Sequence, residues 1–67
     1  MDTIKIGKNI KKARKAKGLT QVEVAEKVGI HPNYFAKIER GEIQPVLDTL
    51  EKIFKVLGVK SSEILPF

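Results

Sequence analysis

The sequence predicts an all-α domain of five short helices, and three observations predict it. Apolar residues recur at helical spacings in successive segments. Glycines 18, 29, 41 and 58 stand just past the segment ends, where a left-handed residue closes a helix. Segment starts carry capping residues, most plainly Thr20 with Glu23 and His31 with Pro32. No internal repeat, low-complexity stretch or linker interrupts the 67 residues, so residues 1–67 read as one domain.

The first helix is expected over about 3–17. Ile6, Ile10 and Ala13 supply its buried face at i, i+4 and i+7, and lysines occupy the rest. Either Asp2 or Thr3 caps it. Gly18 closes it, with Leu19 beyond making the apolar contact of a Schellman end. The second helix, 21–28, opens on a capping box. The Thr20 hydroxyl accepts from the N–H of Glu23, whose side chain reaches back to the N–H of Thr20. Val24, Ala25 and Val28 share its inner face, and Gly29 ends it. The third helix, 32–40, has His31 at the N-cap and Pro32 at the first helical position, where a missing N–H is no loss. It buries Phe35 and Ile38 and stops at Gly41. After a loop through Pro45, the fourth helix spans 46–57. Leu47, Leu50, Ile53, Phe54 and Leu57 form a broad apolar face there, the expected centre of the core. A short fifth helix, 61–65, is capped by Ser61 or Ser62 and holds Ile64 and Leu65 before Pro66 and Phe67.

Composition narrows the function. A domain this small buries only about 60% of its unfolded surface. Without cysteine it has neither disulfides nor a thiolate metal site to help. Absent cysteine fits a reducing cytoplasm, the expected location. No apolar run approaches the roughly 20 residues that cross a bilayer, and the N-terminus is too charged for a signal peptide. Thirteen Lys and Arg against eight Asp and Glu leave +5. Seven of the thirteen (Lys5, Lys8, Lys11, Lys12, Arg14, Lys15, Lys17) precede residue 18, opposed there only by Asp2. A basic face of this kind is the electrostatic footprint of a phosphate-binding protein. Its apolar side is narrow and holds no Trp or Phe, which argues against a membrane partner. Catalysis has little to stand on. His31 is the only histidine, Asp48 and Glu51 sit on an exposed helical face, and no HExxH or glycine-rich phosphate loop is present. No catalytic residue, metal or cofactor is expected.

A helix, a glycine turn and a second helix over residues 20–41 are the parts of a helix-turn-helix, whose second helix lies in a DNA major groove. Opposite Phe35 and Ile38, the outward set on that helix is Pro32, Asn33, Ala36 and Lys37. Asn pairs in two places with adenine, Lys donates to guanine, and Ala or Pro touches a thymine methyl. These four are the candidate base readers. Gln21 begins the second helix, where free N–H groups favour an anion. Thr20, His31, Tyr34, Arg14 and Arg40 complete the candidate phosphate contacts.

Three runs, TQxxxAxxxGI, xPxYFxxIERG and PxLxTLxKIxxxLGV, occur in order at residues 20–30, 31–41 and 45–59. Together they resemble the Cro/lambda-repressor-like (XRE-type) helix-turn-helix family, over about Ile6 to Leu65. The resemblance implies a five-helix, sequence-specific domain binding double-stranded DNA, with a phosphate-clamping glutamine at Gln21. It also implies an ion pair between Arg14 and Glu39, holding the guanidinium toward the DNA. The expected role is a transcriptional regulator: a phage-type repressor, a restriction–modification controller or an antitoxin. Some positions depart from the family pattern. The loop after the third helix offers Glu42, Ile43 and Gln44 instead of basic residues, and Lys60 stands where a capping Ser is usual. Val46, Phe54 and Val56 are unusually apolar. With Ile64, Leu65 and Phe67, the valines form the expected interface of a homodimer on an inverted-repeat operator. The rival reading is a protein-interaction module whose apolar C-terminal part binds a partner such as a toxin.

Overall fold

The structure, a computed structural model, describes residues 2–65. They form five helices in chain order: α1 (Thr3–Ala16), α2 (Gln21–Val28), α3 (Pro32–Glu39), α4 (Leu47–Leu57) and α5 (Ser61–Ile64). Every bound lies within one residue of the expected one, because short-range chemistry sets each end. Of the two candidate caps for α1, Asp2 serves, its Oδ1 accepting from the Lys5 N–H at 3.0 Å. Thr3 instead turns its hydroxyl to Gln44 Oε1, at 3.0 Å, and ties the start of α1 to the loop before α4. At the other end, the Gly18 and Leu19 N–H groups take the carbonyls of Lys15 and Arg14, the paired bonds of a Schellman end. Thr20 and Glu23 form the reciprocal capping box, with bonds of 3.1 and 2.9 Å.

Two caps differ from expectation. Val46 holds the N-cap of α4 and brings no side-chain bond, so the helix proper starts at Leu47. At α5 the N-cap is Lys60, in extended backbone, and Ser61 is already helical. An ammonium has no lone pair to accept with. Only half a box forms, Glu63 Oε1 accepting from the Lys60 N–H at 3.1 Å.

α1 packs against α3 and α5, and α2 against α3 and α4. Between them Ile6, Ile10, Val24, Ala25, Phe35, Ile38, Leu50, Ile53 and Ile64 are sealed from water. Leu47 is a correction, because it is 63% exposed and lies outside this core. Leu50, three residues on, is buried, so the apolar stripe of α4 is covered from Leu50 onward and open at Leu47. Ile64 is the second correction. It was expected at a subunit interface, but α5 lies on α1 and turns it into the core. Asn9 fastens that contact, its Nδ2 donating to the Ile64 carbonyl at 2.7 Å.

Two glycines let α1 reach α3. A Cβ on Gly7 would lie 2.4 Å from the Ile38 carbonyl oxygen and 2.6 Å from that of Glu39. One on Gly41 would lie 2.7 Å from the Ile4 Cα, and Gly41 also has φ of +74°, which L side chains avoid. With both as glycine, the backbones meet directly and α3 is held at a set rotation against α1. The contact holds Phe35, Ile38 and Glu39 inward, with Asn33, Lys37 and Arg40 left outward.

Candidate nucleic-acid interface

The outward side of α3 is built from its own spacing. Phe35, Ile38 and Glu39 point inward and are buried. Asn33, Lys37 and Arg40, at i, i+4 and i+7, form an exposed stripe opposite them. Pro32 and Ala36 are half-buried at one flank, and Tyr34, 37% exposed, stands at the other. His31 caps the helix, its Nδ1 accepting from the Asn33 N–H at 3.0 Å. The Asn33 backbone donor is thus spent on the cap, while its exposed amide stays outward.

Beside this stripe stands the start of α2. Backbone N–H groups in a first helical turn have no intrahelical acceptor, so Gln21 and Val22 offer two donors at the positive end of the helix dipole. Exposed Thr20 keeps its hydroxyl proton available, because that oxygen serves the cap as an acceptor. Gln21 is half-buried and does double duty. Its Nε2 donates to Glu39 Oε1 at 2.8 Å, which orients the side chain across the α2–α3 angle.

The Arg14–Glu39 pair is present, but it is turned inward. Arg14 Nε lies 2.6 Å from Glu39 Oε2 and Nη2 lies 3.2 Å from Oε1. The third nitrogen, Nη1, donates to the Leu19 carbonyl at 2.8 Å. All three guanidinium nitrogens are engaged, and the residue is only 8% exposed. This corrects the expectation that Arg14 contacts phosphate. The carboxylate of Glu39 draws the guanidinium under the helix-turn-helix, where it joins α1, α3 and the turn before α2.

Arg40 has the opposite fate. Its exposed guanidinium pairs with the carboxylate of Glu42, two residues on. The Arg40 hydrogen bond, then the charges of Arg40 and Lys37, hold the Glu42 carboxyl below its usual value. The same bond raises the Arg40 value. Glu42 was legible as an acid near the stripe. Its bond to Arg40 was not, because i and i+2 face each other only when a turn intervenes. Gly7 and Asn9, which position α3 and α5, carried no local signal at all.

The expected dimer residues differ in exposure. Val46 is 67% exposed beside Leu47, whereas Val56 and Leu65 are half-buried against the core and Ile64 is buried. Phe67 lies outside the described residues. Val46 and Val56 are ten positions apart, about 15 Å along α4. Among the described residues no three His, Asp or Glu cluster where they would hold a metal ion. No helix there is long and apolar enough to cross a membrane.

A family model described as "Helix-turn-helix" matches residues 10–64 of the chain. The immunity repressor protein of Bacillus phage phi105 is 43% identical over 60 residues, covering 90% of this chain and 42% of that protein. The regulator SinR of Bacillus subtilis is 41% identical over 61 residues, covering 90% of this chain and 55% of that one. The chain therefore spans about half the length of these two relatives. Among solved structures, the restriction-modification controller protein C.AhdI from Aeromonas hydrophila superposes with a TM-score of 0.91 at 30% identity. That match covers 96% of this chain and 97% of C.AhdI.

Proposed function

The chain belongs to the helix-turn-helix family that its residues 10–64 match, and from that membership we propose that it binds double-stranded DNA and regulates transcription. In this reading α3 enters the major groove. Asn33 and Lys37 read base edges, with Pro32 and Ala36 against thymine methyls. The start of α2, with Thr20, Gln21, His31 and Tyr34 around it, clamps the flanking phosphates. One observation carries the proposal: the exposed stripe of Asn33, Lys37 and Arg40 on a helix braced from behind by buried Arg14 and Glu39 and half-buried Gln21. The brace matters because a base-reading helix must be held to a fraction of an ångström. Repression is the mode we favour, by likeness to the phage immunity repressor. No catalytic role is assigned, and the work lies in the cytoplasm with the DNA.

Anisotropy titrations with labelled DNA from upstream of the protein's own gene, beside random duplex, test the reading. Binding to the upstream DNA that is at least about a thousand-fold tighter than to random duplex is the expected result. Equal affinity for both would leave a non-specific basic domain.

Exposed Val46 and Leu47 support a second subunit on this face. A homodimer on an inverted repeat is our reading of them. The rival is a heterologous partner such as a toxin. A pull-down recovering a second protein, from a chain that sediments as a monomer, would favour that rival.

A further inference from the structure

We propose that Glu42 masks Arg40, so that in the free protein an internal carboxylate occupies the guanidinium that a DNA phosphate takes on binding. The inference rests on the DNA-binding reading above and adds a regulator of affinity within the same face.

Three observations carry it. Arg40 continues the outward stripe of Asn33 and Lys37, so its guanidinium stands where a duplex backbone would pass. Its partner is a carboxylate, the nearest side-chain analogue of a phosphate oxygen, and the pair is exposed on both sides (56% and 49%). Finally, Glu42 is placed by the backbone. Its N–H donates to the Lys37 carbonyl at 3.0 Å, the second bond of the turn that Gly41 makes at φ of +74°. That turn is wedged against Ile4, and the Thr3–Gln44 bond pins its far side. These contacts hold the loop beside Arg40, so releasing the guanidinium calls for rotation of the Glu42 side chain.

An exposed pair is weak and screened by salt. Glu42 therefore tunes affinity and does not lock the site. A phosphate reaching Arg40 must displace the carboxylate, and the displaced acid is then left near the duplex with the charge of Lys37 still acting on it.

A double-mutant cycle on a fluorescein-labelled random-sequence duplex tests this, with helix content checked by circular dichroism. Glu42→Gln is expected to bind about two- to five-fold tighter than wild type. Its salt slope should stay close to that of wild type, because the Arg40–phosphate contact forms in both complexes. Arg40→Gln should change affinity little in the wild type but abolish that gain in the Glu42→Gln background. If Arg40→Gln weakens binding by the same factor in both backgrounds, Glu42 acts by simple repulsion and masking is overturned. Failure of both wild type and Glu42→Gln to bind this duplex or the upstream DNA would overturn the DNA-binding reading itself. Binding with additive effects overturns masking alone.

Discussion

Asn33 and Lys37 stand one turn apart on the outward stripe of α3, and their donors and acceptors set what each should do. A carboxamide pairs with adenine in two places, so Asn33→Ala should lose about 1–3 kcal/mol on the upstream site and little on random duplex. Equal losses on both, in parallel titrations, would move Asn33 to the phosphate contacts. Arg14 calls for a different measurement, because it is buried. Arg14→Ala strands the Glu39 carboxylate, which has 1% side-chain exposure, without its cation. Breaking a buried pair from one side costs about 3–5 kcal/mol. That is a large share of the roughly 5–15 kcal/mol that holds a domain together. Urea unfolding should show that loss, and replacing the pair together (Arg14→Met with Glu39→Leu) should restore much of it. If Arg14→Ala were as stable as wild type and merely bound DNA less tightly, the inward pair would be the wrong account.

Helix ends and helix crossings make their own predictions. The capping box of α2 depends on an ionised Glu23. The backbone bond to Thr20, then the bond to its side chain, hold this carboxyl below its usual 4.5. A depressed folded-state value means the contribution is fully present above the unfolded value. It is lost as pH falls, because the unfolded chain takes up the proton first. Glu42 is lowered as well and adds in the same direction. The thermal midpoint should thus fall as pH drops below about 4.5, and less steeply in Glu23→Gln, whose amide keeps the cap geometry without titrating. A midpoint that is flat or rising across that range would contradict the sign. At the α1–α3 crossing, Gly7→Ala gains about 1 kcal/mol of helix propensity. Its Cβ would meet two carbonyl oxygens of α3 at 2.4 and 2.6 Å, however, and backbone cannot yield cheaply. Overpacking of this kind costs about 1–3 kcal/mol, and it tilts the recognition helix as well. A net loss of stability with weaker operator binding is expected from denaturation and titration.

The folded domain measures 27 × 21 × 19 Å. Two half-sites one turn of DNA apart are separated by about 34–36 Å, so one copy cannot read both. Two copies on a rigid axis gain by effective concentration, which a weakly clamping, Glu42-damped face would need. In the homodimer reading proposed above, the interface is placed at Val46 and Leu47 and not at buried Ile64. These two are the most exposed of the large apolar residues described (Ile4, Val22 and Tyr34 are the other exposed ones). Leu47→Asp should leave helix content intact and shift sedimentation toward the monomer. Operator binding should weaken as well. Wild type sedimenting as a monomer at tens of micromolar, with one copy per half-site, would remove this assignment.

The sequence alone determined where the helices start and stop and which α3 residues face out. Asp2, the Thr20–Glu23 box, His31–Pro32 and the closing glycines act through bonds between residues at most five positions apart, which a linear reading reaches. Asn33 and Lys37 were legible for the same reason, as the far side of a helix whose Phe35 and Ile38 must be buried. Tertiary structure decided the rest. Arg14 meets Glu39 across 25 positions, and only the packing of α1 on α3 turns that guanidinium inward. Leu47 lies in an apolar stripe yet faces water, because no packed element among the described residues covers the start of α4. Ile64 looks like spare surface yet fills the core, because α5 folds back on α1. The periodicity of a helix says which residues share a face. Whether that face is covered depends on the length and angle of the element packed against it, and no local pattern carries that information.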